Sequence, residues 1–346
     1  MTGASITVAM PTCNGARHLR EALAGIHAQD AAFDLVVSDD RSDDETLAIV
    51  RQDLGDRARI SINSERLGLA GNWNRCVELG RTDWVAIFHQ DDVMRPGHLA
   101  AHDRAIAHAA ASGFRIGLVA GPVDMIDGDG RPVSARIVDP GWVPSRIGTT
   151  RVRRGRPDPT EIIVGPGWVS LLADRNPLRC SAVTTRKAAH AEVGGFDPSY
   201  RYAVDWDFWV RVARGWGLAG LAGPPTVAMR WHPESETHRF RTSTTDLDEQ
   251  VRLLDAIHAE DGPKFRNQPG LRRLADRRLA RAFLNRAHVA LKGGDVPMAR
   301  ACLARSYRLS PGILGTIALD PRLAVQMAAL AVAPERAGRW FARRDA

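Results

Sequence analysis

Cysteine is sparse in this sequence. Its four, Cys13, Cys76, Cys180 and Cys302, lie far apart, with no paired spacing of the kind that builds a structural zinc site. Scattered thiols also fit a reducing cytoplasm better than a disulfide framework. Long apolar runs are missing too. The best, Leu323 to Ala333, falls short of the roughly 20 residues a membrane-spanning helix needs. The first residues hold no basic stretch leading into an apolar core and a cleavage site, so no secretory signal is expected. No G-x-G-x-x-G follows the first apolar run, which removes the usual dinucleotide fingerprint.

What is present is ordinary for a globular protein. The 346 residues are 44% apolar and 25% charged, enough for one large domain and a smaller one. The net charge of +7 is unevenly spread. Residues 264–346 hold 17 Lys/Arg against 5 Asp/Glu, an excess of +12, and the remainder is slightly acidic. A basic end of that kind suits an anionic partner such as a membrane surface or a diphosphate-linked acceptor. Basic helices without interleaved aromatics are poor support for nucleic-acid binding, and none is expected.

Apolar periodicity divides the first 95 residues into alternating strands and helices with short connections. Strands are predicted at Ile6–Met10, Phe33–Val37, around Ile60 and Ile62, and at Trp84–Phe88. Helices fall at His18–His27, after Ser42 or Asp43 as a cap, and at Leu69–Leu79. Such alternation predicts an α/β fold, a mostly parallel sheet flanked by helices. A helix over Leu99–Ala111, a strand over Ile116–Ala120 and a hairpin turn at Asp127–Gly130 follow. Residues 139–167, rich in Pro, Gly and Arg, read as an irregular loop over the active face.

The chain is organised around Trp84–Phe88 and what comes after it, His89-Gln90-Asp91-Asp92. An apolar strand that ends in two carboxylates places them at the sheet edge where open α/β sheets bind ligands. Adjacent like charges repel, so a cation between them, Mg²⁺ or Mn²⁺ with a diphosphate completing the shell, would relieve the strain. Taken alone, the pair reads as a solvated acidic turn; the rest of the chain changes that reading. Asp205, near the start of a helical pattern carried by Phe208, Trp209 and Val212, is on its own a helix cap.

Taken together, five segments resemble the family 2 glycosyltransferases, inverting enzymes of the GT-A fold, over roughly residues 5–235. They are Val8–Asn14, Val37–Ser42, Gln90-Asp91-Asp92, Gly194-Gly195-Phe196-Asp197 and Asp205–Arg211, in the family's order. The resemblance implies transfer of a sugar from a nucleotide-diphosphate donor to a hydroxyl of a saccharide or lipid-linked acceptor, with Mn²⁺ or Mg²⁺. It implies a nucleotide pocket lined by Pro11, Thr12 and Cys13, with Asp40 accepting a hydrogen bond from the base. Asp91 would lie at the ribose and diphosphate, Asp92 at the metal, with His232 as a further candidate ligand. Asp205 would be the general base, and Trp206, Gly194 and Gly195 would shape the acceptor side. Three residues depart from the pattern: His89 where an acid is common, Val204 where Glu often precedes the base, and Arg41 where glycine is common.

Two other readings compete. A sugar-phosphate nucleotidyltransferase would want a Gly-rich basic loop after the first strand, which Pro11 to Arg17 does not supply. A degenerate transferase scaffold would not need Asp40, Asp91, Asp92 and Asp205. The catalytic domain is expected over 1–245 and a helical extension over 246–346. Ala280, Ala287, Ala290, Gly294-Asp295, Ala299, Ala301 and Pro311 suggest one tetratricopeptide-like helix pair near 278–311. The basic excess, with Trp340 and Phe341 between Arg339 and Arg343, predicts a cytoplasmic protein that is peripheral at the inner face of a membrane.

Overall fold

A computed structural model describes residues 5–111, 113–134, 161–265, 268, 270–319 and 321–332. The chain divides into two compact units, one of Met1–Leu172 with Asn176–His232, the other of Ala173–Arg175 with Pro233–Ala346. The division near residue 232 precedes the expected one at 245. Trp340 and Phe341 lie outside the described residues. Among the described residues no helix is long and apolar enough to cross a membrane.

In the first unit the elements run β1 (Ile6–Thr12), α1 (Ala16–His27), β2 (Phe33–Asp39), α2 (Thr46–Leu54), β3 (Arg59–Ile62), α3 (Gly68–Leu79) and β4 (Trp84–Ile87). There follow β5 (Val93–Met94), α4 (His98–Ala111), β6 (Ile116–Ala120), β7 (Val123–Ile126), β8 (Glu161–Val164), β9 (Val183–Arg186), α5 (Lys187–Val193), α6 (Val204–Gly215), β10 (Gly217–Leu221) and β11 (Val227–Arg230). Eight strands form one sheet in the order β3-β2-β1-β4-β9-β6-β10-β8, and β5-β11-β7 form a second. In the large sheet β9 runs antiparallel to β4 and β6, and β8 to β10, while the other pairings are parallel. This is the expected α/β architecture.

The apolar runs explain the burial. Val8, Ala9 and Met10 of β1 and Val85, Ala86 and Ile87 of β4 are all buried, as strands covered on both faces must be. Leu19, Leu23 and Ile26 of α1 pack into the same core. Successive strands step outward from β1 to β2 and β3, and then the chain returns to place β4 on the other side of β1. That reversal opens a crevice at the carboxyl ends of β1 and β4, and the pairing Ala9↔Ile87 puts Cys13 and His89 there.

Two local expectations change. Neither Ser42 nor Asp43 caps α2. Asp44 accepts from the Thr46 N–H (2.9 Å), while Ser42 and Asp43 bond to Asn14 in the loop after β1. The expected irregular loop at 139–167 is part strand: Glu161–Val164 adds an antiparallel edge to β10, because Ile162 and Ile163 can pair along it. The rest of that loop up to residue 160 lies outside the described residues.

His98 and His102 stand one turn apart on α4, fully buried, with rings 4.2 Å apart. Their Nδ1 atoms share hydrogen bonds with Thr226 and Thr184, both 2.8 Å. Burial pushes His98 down to about 4 and His102 well below its usual value. An unfolded histidine titrates near 6.5, so between that value and 4 the unfolded chain binds the extra proton. Stability should therefore fall as pH drops through that window, by about 3 kcal/mol for His98 when complete. Urea denaturation at pH 7.5, 5.5 and 4.5 checks this: His98→Leu should lose part of the slope that the parent shows. Equal slopes would mean that His98 titrates normally.

The second unit is helical: α7 (Glu236–Arg239), α8 (Thr245–Glu260), α9 (Leu271–Lys292), α10 (Val296–Leu309), α11 (Ile313–Leu319) and α12 (Pro321–Val332). The expected helix pair is α9 with α10. Between them Gly294 takes φ 79°, and Asp295 caps α10 by accepting from the Met298 N–H (3.0 Å). Small residues let the two backbones approach. Ala280, Ala287 and Ala299 are buried, and the Ser306 hydroxyl donates to the Ala280 carbonyl (2.6 Å). Ala301, also part of the pattern, is exposed. One pair cannot bury its own face, and here Ile313, Ile317, Met327 and Leu330 of α11 and α12 complete the cluster with Leu284 and Leu291.

Candidate active site

The loop after β1 is built by its neighbours. Thr12 donates to Asp39 (2.8 Å), whose carboxylate also accepts from the Ser42 N–H and hydroxyl. Gln90 holds the Cys13 peptide from both ends, accepting from its N–H and donating to its carbonyl, each at 3.0 Å. A Cβ on Gly15 would overlap the Gln90 amide, so glycine is required for that clamp. Asn14 adopts φ 47°, a left-handed turn that asparagine tolerates. Pro11, Thr12 and Cys13 thus sit on the crevice as a pinned segment.

Asp40 is buried and heavily engaged. It accepts from the Leu67 N–H (2.7 Å), the Gly68 N–H (2.9 Å) and the Asn63 amide (2.9 Å), three of roughly four acceptor positions on a carboxylate. It therefore anchors the start of α3, which sequence reading did not foresee.

The acidic pair splits into unequal partners. Asp91 keeps a 24% exposed side chain and meets His232 Nε2 at 2.9 Å. Burial alone would raise its carboxyl, but the His232 hydrogen bond and the charges of His89 and His232 hold it below the usual range. Asp92 is buried rather than a solvated acid; only 3% of it meets solvent. The Arg230 N–H (2.9 Å) and the Ser181 hydroxyl donate to it, and His89 Nδ1 lies 3.5 Å away. Arg230, also buried, reaches the Asp91 carbonyl (2.9 Å) and the Asp127 carbonyl (3.1 Å).

His89, the apparent departure, belongs to this cluster. Its ring stacks on Trp73 at 5.3 Å. Burial opposes a charge on it, yet the pairing with Asp92 and the neighbouring Cys180 hold its imidazole well above the usual value. His89, Asp91 and Asp92 each offer one ligand atom, all within 4.8 Å of one another. His89 Nε2 is buried and unpartnered. Mixed carboxylate and imidazole donors fit a divalent cation of the Mn²⁺ kind, whereas Mg²⁺ favours oxygen alone.

Asp205 occupies the first turn of α6. The residue is half-buried, and its carboxyl accepts from the Trp206 N–H (2.7 Å) and the Asn176 amide (3.0 Å). Burial raises its pKa, against the pull of Arg179 and those two hydrogen bonds. Asp207 plays a different part. It pairs with Arg211 (2.7 Å), and Arg211 donates to the carbonyls of Val193 (2.7 Å), Gly194 (3.2 Å) and Gly195 (2.8 Å). Gly194 takes φ 81°, and a Cβ on Gly195 would overlap Asn74 Oδ1. Trp206 is buried and donates to the Leu172 carbonyl (3.1 Å), so it supports the site from behind.

Sequence reading gave no role to Asn176, Arg179, Ser181 and Arg230. Ser181 is 89 positions from Asp92 and Arg230 is 138, and no local pattern announces such contacts.

A mostly parallel sheet with carboxylates, imidazoles and a half-buried aspartate at one edge defines a GT-A type domain. Residues 7–123 match the model of "Glycosyl transferase family 2". The uncharacterized protein MT1568 of Mycobacterium tuberculosis is 27% identical over 255 residues, covering 72% of this chain and 74% of that protein. Among solved structures, S. aureus TarS 1-349 in complex with UDP-GlcNAc superposes with a TM-score of 0.51 at 15% identity, covering 90% of this chain and 92% of that one. A second crystal structure of S. aureus TarS 1-349 gives 0.50 at 16% identity, with the same coverage.

Proposed function

We propose that this chain is an inverting, metal-dependent glycosyltransferase that moves a sugar from a nucleotide-diphosphate donor to an acceptor hydroxyl. The observation that carries the reading is the convergence of His89, Asp91 and Asp92 at the end of β4 with Asp205 at the start of α6, tied together by one segment. In that segment Asn176 bonds to Asp205 and Ser181 bonds to Asp92.

Each group has a task. Pro11, Thr12, Cys13 and Asp40 form the nucleotide side. Asp91 and Asp92, with His89 and His232, would hold Mn²⁺ or Mg²⁺, which supplies positive charge to the leaving diphosphate. Asp205 takes the proton of the acceptor hydroxyl as that oxygen bonds to the anomeric carbon. The bond from that carbon to the donor oxygen breaks, and its electron pair leaves with the diphosphate. One displacement inverts the centre and needs one base. Gly194 and Gly195 shape the acceptor side, with Trp206 behind them. An acceptor saccharide on an anionic lipid would suit the basic excess of residues 264–346, in the manner of polysaccharide assembly.

A panel of UDP-, GDP- and dTDP-sugars with Mn²⁺ or Mg²⁺ tests the reading by thermal denaturation. UDP-GlcNAc belongs in it because the TarS fragment is seen with that compound. A donor at 100 times its Kd stabilises by about 2.7 kcal/mol, enough to raise Tm by several degrees. A panel in which no nucleotide raises Tm with either metal would leave the reading without its donor.

A further inference from the structure

The geometry points to Asn176 as a positioning residue for Asp205, one that fixes the direction of the carboxylate and favours its proton-accepting form. This deepens the reading above and rests on Asp205 being the base.

Three observations carry it. First, the Asn176 amide has no freedom of orientation. Its Oδ1 accepts from the Leu178 N–H at 3.1 Å, so its Nδ2 must face Asp205 Oδ2 at 3.0 Å. Second, the other carboxyl oxygen, Oδ1, is taken by the Trp206 N–H at 2.7 Å. With one donor on each oxygen, the carboxyl plane is set and one acceptor position remains free on each for an incoming hydroxyl. Third, Arg179 Nη1 donates to the Asn176 carbonyl at 3.3 Å, which steadies the Asn176 backbone and keeps a positive charge on the Asp205 side.

The arrangement answers a physical problem. Burial raises the Asp205 pKa, and Arg179, the Trp206 N–H and Asn176 oppose it in that order. A base must be ionised before it can take a proton. The α6 N–H and the arginine are general features of a helix start and a charged loop. Asn176 is the side chain that adds both direction and a charge-assisted hydrogen bond.

The test compares Asn176→Leu, which keeps the branched shape but removes both the donor to Asp205 and the acceptor for the Leu178 N–H, with Asn176→Ser, which restores a shorter hydroxyl donor. Saturating donor and acceptor are used with Mn²⁺ across pH 5 to 9. The acid limb of the kcat profile should move upward by about 1 pH unit or more in Asn176→Leu, the scale of one hydrogen bond to a charged group. Asn176→Ser should recover part of it, and the donor KM should stay within about twofold. ¹³C NMR titration of the Asp205 carboxyl in the free protein reads the same shift without turnover. An unmoved acid limb, or an unmoved carboxyl titration, with only a lower Tm would overturn the assignment and leave Asn176 a structural loop residue. Full transfer by Asp205→Asn would instead remove the base reading itself.

Discussion

Asp205→Asn should slow sugar transfer by roughly 10²–10⁴-fold, the range lost with a general base, while donor affinity stays close to the parent and Tm falls modestly, because the new amide would face the fixed Asn176 Nδ2 donor. The substitution keeps the shape and one oxygen for the Trp206 N–H, which lies 2.7 Å from Asp205 Oδ1. It cannot take up the acceptor's proton. Asp207→Asn provides the contrast. Its carboxylate serves Arg211, which secures Gly194 and Gly195, so weakening it should lower Tm and slow transfer far less. Single-turnover rates at saturating donor decide between them. An active Asp205→Asn with an inactive Asp207→Asn would move the base two residues along the helix.

The second large effect separates the two neighbouring acids. Asp91→Asn should remove metal-dependent nucleotide binding, seen by calorimetric titration of nucleoside diphosphate with Mn²⁺, at little cost to folding, since its side chain is partly exposed. Asp92→Ala should also abolish that binding, but with a loss of about 2–4 kcal/mol in stability. It strands the Arg230 N–H and the Ser181 hydroxyl in a buried place and removes the carboxylate beside His89. Unchanged affinity in Asp91→Asn would take that residue out of the metal set. Unchanged stability in Asp92→Ala would contradict its buried network.

Much of this was legible beforehand. The runs of β1 and β4 and the period of α1 gave strands and helices within a residue or two, because each buries a continuous apolar face. The position of Asp91 and Asp92 at a strand end followed from the same pattern. What stayed hidden was which acid faces the crevice. That depends on Arg230 and Ser181, brought in from distant segments by the pairing of β5 with β11 and of β9 with β4. The tethering role of Asp40 was equally invisible, since the N–H groups of Leu67 and Gly68 carry no signature in their side chains. His89 looked like a departure in the sequence. Only its ring on Trp73 and its place beside Asp92 make it a candidate ligand.

The loops after β1 and β2 are laced to each other: Asn14 with Ser42 and Asp43, Gly15 with Thr46, Ala16 with Asp44. Lacing of this kind settles an entropic question before any donor arrives. A floppy pocket loses conformational freedom at the moment of capture and gives up affinity accordingly. Here the freedom of residues 12–16 and 40–46 is already surrendered when the chain folds. On the proposed reading, a nucleotide meeting this edge would have only its own torsions, and those of the sugar it carries, left to freeze.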